Sequence, residues 1–269
     1  MSLLRIFIII LLIYAPSSLF AEELKLHLQN GNIKVVTTEG KHIRFDDMEI
    51  VKVSGLERIK GLISLSLRGN KLKDMSFLKS LDSVQRIDFS NNTIRKISSI
   101  DHLKTLKSLN LSYNRIKKIE GFENLSGITE LNLKSNRIKS IENLSTLTRL
   151  RSLNLIYNRI KTIEGLSNLR LLYTLRLSSN RIKKIDGLKS CTELSNLLLD
   201  RNRIKKIENI NHLTKLINLS LIFNRISKIE NIDHLTQLRH LSLRNNRIRK
   251  KEGLDNLGNL QHFDLNYLM

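Results

Sequence analysis

The chain has 269 residues, 41% hydrophobic and 26% charged, with 46 Lys and Arg against 25 Asp and Glu for a net charge of +21. A single cysteine in that length excludes a disulfide framework, and the charge turns attention to anionic partners. No phosphate-cradling Gly-rich loop, HExxH helix or GxSxG elbow is present, and the only cysteine has no basic partner in its motif, so no common catalytic class is indicated.

The first segment, 1–21, carries one positive charge at Arg5, an apolar run from Ile6 to Tyr14, the chain's only proline at Pro16, and the small Ala21 before Glu22 and Glu23. That layout is a secretory signal peptide whose apolar run is too short to span a bilayer comfortably. The expectation is a mature chain starting near Glu22, not membrane-spanning, and secreted, periplasmic or held at a cell surface. No cysteine follows the run, so lipoprotein processing is not indicated. Export without disulfides, with heavy use of Ile, Asn and Lys, reads as bacterial.

The second segment, 22–47, contains Leu24, Leu26 and Leu28, then Asn30-Gly31, then Ile33 and Val35. Alternating apolar residues on either side of Asn-Gly predict a β-hairpin, placed as a cap over the open N-terminal end of the third segment.

That third segment, 48–269, is governed by one period. Asn70, Asn92, Asn114, Asn136, Asn158, Asn180, Asn202, Asn224 and Asn246 stand 22 residues apart without insertion or deletion. Around each recurs an apolar frame such as Leu109, Leu111, Ile116, Ile119, Phe122, Leu125 and Ile128. Leu109 and Leu111 alternate as in a strand, while the later apolar residues, three apart, fit a tight return path with no room for a full helix. No unit buries its own apolar side, so stacked neighbours must supply the core. An asparagine at each corner needs buried partners, and the backbone of the adjacent coil is the nearest source. Cys191 stands in the register slot of Leu169 and Leu213 and reads as a small core substitute. At the far end Phe263 and Leu265 form a last strand, Leu268 falls where an asparagine is due, and no cap is visible; that end offers an unpaired edge for self-association.

The segment 150–169, LRSLNLIYNRIKTIEGLSNL, closely resembles the leucine-rich repeat family in its 22-residue form, LxxLxxLxLxxNxIxxIEGL. Similar repeats occur in internalin-like bacterial proteins and in the leucine-rich regulatory subunit of protein phosphatase 1. The resemblance implies an α/β fold class: a leucine-rich repeat solenoid, or horseshoe, with a parallel β-sheet on the concave face and short 3₁₀ or irregular return segments on the convex face. It also implies a non-enzymatic binding scaffold without cofactor, whose concave face meets a protein partner.

Concave positions lie six, four, two and one before each asparagine, and most hold Ser, Asn or Thr. The exceptions are the candidate protein-binding residues: Tyr113, Ile156, Tyr157, Arg176, Leu198, Asp200, Arg201, Ile222, Phe223 and Arg244. Aromatic and Arg anchors among small polar residues suit a hot spot. One residue after each asparagine stand Arg115, Arg137, Arg159, Arg181, Arg203, Arg225 and Arg247, and two further on Lys117, Lys139, Lys161, Lys183 and Lys205, ending in Arg249. With rungs roughly 4.8 Å apart these are like-charge ladders, which the acidic series Glu120, Glu142, Glu164, Asp186, Glu208, Glu230 and Glu252 offsets only in part. The alternative reading is a binder of a polyanion, such as a sulfated glycan or an anionic lipid surface, through the basic ladder. Nucleic acid is not expected in vivo, given export and no interleaved aromatics. A third reading, an intracellular phosphatase regulator, requires that 1–21 stay attached in the cytosol. His240 and His262 with Asp264, and His212 with His234, stack in pairs, but structural zinc needs four ligands, and no metal site is assigned.

Overall fold

Each period places one apolar residue, usually leucine, inward between two outward and mostly polar residues, and a three-residue strand results. The described residues of the computed structural model are 22–38 and 40–265; segment 1–21, read as a signal peptide, and Leu268 lie outside them. The strands are β1 (Glu22–Leu28), β2 (Ile33–Thr38), β3 (His42–Arg44), β4 (Ile50–Ser54), β5 (Ser64–Ser66), β6 (Arg86–Asp88) and β7 (Ser108–Asn110). They continue with β8 (Glu130–Asn132), β9 (Ser152–Asn154), β10 (Thr174–Arg176), β11 (Asn196–Leu198), β12 (Asn218–Ser220), β13 (His240–Ser242) and β14 (His262–Asp264). β3 and β5 to β14 form one 11-stranded sheet in chain order. Neighbours pair in parallel with zero slip, Leu131 opposite Leu153 and Leu153 opposite Leu175. The hydrogen-bond ladder outlasts the strands: Leu111 N–H donates to Asn132 O at 2.8 Å and Tyr113 N–H to Lys134 O at 2.8 Å.

The return path is built of turns, two of which tighten to 3₁₀ at Leu56–Arg58 and Ser76–Ser80. No α-helix occurs among the described residues. Inward side chains from every rung join one continuous core running from Leu24 to Leu257, and Cys191 lies in it, fully buried. Each buried Leu or Ile contributes about 1.5–3 kcal/mol relative to exposure, and repetition does the rest.

The hairpin of β1 and β2 forms around Asn30-Gly31, with Gly31 at φ 86°. Its docking differs from the expected position on the sheet end. β1 pairs antiparallel with β4, so a separate three-stranded sheet lies against the return path of the first coil, and β3 remains the edge of the long sheet. The reason is register: Leu24 and Leu26 bury completely against the first coil's core, and pairing with β4 brings them there. The long sheet itself starts at His42, within the 22–47 segment.

The asparagine ladder closes the corner after each strand. Asn158 Oδ1 accepts from Ile138 N–H at 3.0 Å; its Nδ2 donates to Leu133 O at 3.0 Å in the preceding rung and to Leu155 O at 3.1 Å in its own. The same three bonds recur at Asn92, Asn114, Asn136, Asn180, Asn202, Asn224 and Asn246. Within the stack each such leucine carbonyl before the last is shared by two asparagines, as Leu155 O is by Asn158 and Asn180, whereas each isoleucine N–H has only one. Asn158→Leu therefore orphans the N–H of Ile138 outright while the carbonyls keep their second donor. The expected loss is about 2–3 kcal/mol of unfolding free energy by denaturant titration, with a smaller loss for Asn246→Leu, whose side chain is only half-buried.

Candidate functional site

The residue just before each ladder asparagine has a left-handed backbone. Gly69, Asn91, Tyr113, Ser135, Tyr157, Ser179, Arg201, Phe223 and Asn245 all have φ between 53° and 68°, as does Asp47 before Met48 in the same column. The geometry is a consequence of the corner: the chain must turn sharply so that the next side chain points inward as the ladder amide. Gly and Asn adopt this conformation readily, but for a bulky side chain it costs about 1–3 kcal/mol. The residue two before the asparagine points less freely, and Ile156 and Ile222 are half-buried while Tyr157 and Phe223 are 54% and 44% exposed.

Candidate residues fall into two clusters on this rim, with a bridge on the sheet between. Tyr113 and Tyr157, two rungs apart, share one cation: Lys134 Nζ lies 5.1 Å from the Tyr113 ring centroid and 5.9 Å from that of Tyr157. The Lys134 ammonium, hydrogen-bonded to the Tyr113 phenol oxygen, holds that phenol below the ordinary tyrosine value. Further along the stack from Tyr157, Asp200, Arg201, Ile222, Phe223, Arg244 and Asn245 line an open groove of about 460 Å³. There the Arg201 guanidinium stacks over the Phe223 ring at 4.4 Å, and Arg244 Nε stands 3.6 Å from Asp264 Oδ1. Arg176 and Leu198 lie on the concave sheet beside a furrow of about 350 Å³. The ten residues are thus brought to one side of the solenoid, but not into one pocket.

Asp200 has a different role from the one its position implied. Its Oδ1 accepts from the Ser220 hydroxyl and from Ile222 N–H at 3.0 Å, and its Oδ2 from the Ser178 hydroxyl at 3.1 Å. It staples three rungs and thereby shapes the groove floor rather than presenting a free carboxylate. Asp88 joins two rungs in a similar way, accepting from Ser90 in its own and from Asn110 in the next.

Three residues join this surface that the sequence pattern does not single out, Lys134 half-buried and the other two exposed. Lys134 is hidden because its contacts are 21 and 23 residues away. Leu171 and Tyr173, 44% and 49% exposed, lie before the strand on the opposite rim. Their signal is in their columns, where Tyr173 corresponds to Arg151, Thr129 and Ser195, and Leu171 to Arg149 and Gly127.

Histidine chemistry resolves by geometry. The His240 and His262 rings stack in parallel, centroids 4.8 Å apart and planes 10° off. His212 Nε2 and His234 Nε2 bind instead the carbonyls of Leu188 at 2.8 Å and Ile210 at 3.1 Å in the preceding rung, as His102 does with Leu78, so these nitrogens are committed to the frame. Among the described residues no group of three His, Cys, Asp or Glu is placed to hold a metal ion.

The ladder arginines are all exposed. Among the described residues the pairs between opposite charges are Arg44–Asp46, Asp101–His102, Lys215–Glu193 and Arg244–Asp264, and none includes a ladder arginine. None of the acidic series on the return path pairs with them either. No helix of the described residues is long and apolar enough to cross a membrane.

Leucine-rich repeat family profiles match residues 57–157, 148–190 and 237–260, the second described as two copies of the repeat. An internalin of Listeria monocytogenes superposes with a TM-score of 0.76 at 29% identity, over 83% of this chain and 66% of that one. Internalin C2 of the same organism has a TM-score of 0.67 at 30% identity, over 70% of this chain and 84% of that one. A plant peptide hormone receptor solved in complex with RGF2 has a TM-score of 0.66 at 27% identity, over 78% of this chain and 37% of that one. The chain thus spans just under two thirds of the first internalin and a smaller share of the receptor. Comparison with curated proteins gives no match.

Burial pushes the Cys191 thiol up to about 11, so almost none is thiolate near neutral pH. Its reaction with a disulfide reagent at pH 8 is expected to be negligible over hours in the native protein and complete within minutes in denaturant.

Proposed function

The chain belongs to the leucine-rich repeat family, and on that premise we propose that it is an exported, non-catalytic scaffold that binds another protein through its concave side and the adjoining rim. The observation that carries the reading is the left-handed corner. Tyr113, Tyr157, Arg201 and Phe223 occupy backbone that Gly69, Asn91 and Asn245 hold at little cost, and none of the four is buried in return, about half of each aromatic side chain staying exposed. Strain without entry into the core points to a surface kept for contact. Aromatic and Arg side chains at the rim lose little rotamer freedom on binding, and the stacked sheet holds them in place beforehand. The plant receptor solved with its peptide shows that a related solenoid takes a polypeptide ligand. Export rests on the layout of 1–21, and adhesion, host contact or envelope assembly is the setting this implies for a bacterial protein.

A second reading is favoured by one specific observation, the exposed arginine ladder without acidic partners: the same molecule binds polyanions along that ridge.

Intact mass of the protein from its native host should correspond to a chain beginning near Glu22; a retained Met1 in a cytosolic fraction contradicts export. Tyr157→Asn and Phe223→Asn should each raise unfolding free energy by about 0.5–1 kcal/mol while abolishing crosslinking to the protein partner from a photoreactive residue at 201; equal or lower stability contradicts the strain argument. On immobilised heparin, replacing Arg137, Arg159, Arg181 and Arg203 by Glu should remove a strongly salt-sensitive retention whose salt dependence Tyr157→Asn leaves unchanged.

A further inference from the structure

The polyanion reading leaves open which polymer fits, and the ladder's regularity narrows it. The backbone N–H of Arg115 donates to Ile94 O at 2.8 Å, and the same bond recurs from Arg137 to Ile116, Arg159 to Ile138, Arg181 to Ile160, Arg203 to Ile182, Arg225 to Ile204 and Arg247 to Ile226, all at 2.7–2.8 Å. Seven guanidinium groups are therefore rooted at equal intervals of roughly 4.8 Å along a gently curved line, a rise set by strand spacing. Each side chain is free to sway, but its root cannot fan away from its neighbours.

We propose that this ridge is a site for a single extended polysaccharide bearing one carboxylate or sulfate on every sugar, laid lengthwise so that each rung meets one acidic group. The proposal rests on the polyanion reading and adds a register to it. One extended sugar residue advances by close to one rung, so anions and cations stay in step over the whole ladder. Double-helical nucleic acid does not, because its phosphates wind away from a straight row, with one charge per ~1.7 Å of axis counting both strands. Inorganic polyphosphate is too closely spaced, and a lipid surface presents a plane to what is a curved line. Two features beside the ladder suit a sugar. Tyr113 and Tyr157 stand two residues before Arg115 and Arg159 and are half-exposed, offering faces for sugar C–H groups; Lys134 is held between them, already ordered for a carboxylate. The parallel row of Lys117, Lys139, Lys161, Lys183 and Lys205, two residues further on, widens the cationic strip without breaking its period.

The test uses the full mature chain and calorimetric titration with defined oligomers. An oligomannuronate of seven sugars, one carboxylate on each, is compared with an inorganic polyphosphate of equal charge and with hyaluronan, which carries one carboxylate per disaccharide. The heptamannuronate is expected to bind at least about tenfold tighter than the polyphosphate, and its salt dependence to steepen with each added sugar up to seven and then level off. A variant with Arg137→Gln, Arg181→Gln and Arg225→Gln keeps every second rung. It is expected to lose at least about tenfold for mannuronate but only about twofold for hyaluronan, whose acids need only alternate rungs. Tighter binding of polyphosphate, or equal losses for both glycans, overturns the register while leaving general polyanion binding in place. No binding of these polymers or of heparin sinks both.

Discussion

Everything in this molecule depends on how the backbone is satisfied at the corner after each strand. A strand of three residues pairs few groups, and the sharp turn beyond it would bury an isoleucine N–H and a leucine carbonyl that no backbone group of the coil meets. The ladder amide supplies both, reaching one coil back through Oδ1 and Nδ2 and holding its own strand with the same Nδ2. Buried polar groups left unmet cost more than the bonds gain, so this exchange fixes the distance between coils and the period of the chain together. A coil one residue longer or shorter would present its amide to the wrong atoms.

That constraint separates frame from decoration. Inward positions are held by packing and amides, and the outward ones are free to vary, which is how a single period carries aromatic anchors at one rim, arginines at the ridge, and Ser or Asn elsewhere. The left-handed corner is the one place where the two meet. Frame geometry demands φ near +55° there, and whatever side chain occupies it projects into solvent at a defined angle. The second left-handed corner on the return path works by the same rule. At Gly187 a Cβ would stand 2.1 Å from Ile163 O, while at Asn209 the amide donates to Ile185 O at 2.9 Å, so one column is met either by absence of a side chain or by a bond.

The fold was legible because every inward residue obeys the 22-residue period. Asn158, Leu153 and Cys191 could each be placed from their column alone, and the hairpin from Asn30-Gly31. Where reading fell short, the reason is contact across rungs. The docking of the hairpin on β4 depends on which face of a degenerate first coil is open, and no column records that. Asp200 looked like a surface anchor because its partners Ser178 and Ser220 are 22 and 20 residues away. Lys134 lay between two tyrosines for the same reason. The left-handed corner itself was written in the sequence, since Gly69, Asn91 and Asn245 share a column with Tyr113 and Phe223, but only as a tolerance for residues that suit it.

The most direct test of the account is removal of residues 159–180, one whole period of 22, so that Arg181 follows Asn158. Because the shortened chain rejoins in register, circular dichroism and denaturant unfolding should show an intact solenoid with a single cooperative transition. Removal of 159–169 instead should leave the later coils unable to dock and abolish that transition. A half-period deletion that folds as well as the whole-period one, or a whole-period deletion that collapses, would contradict the claim that corner amides in strict register hold the structure together.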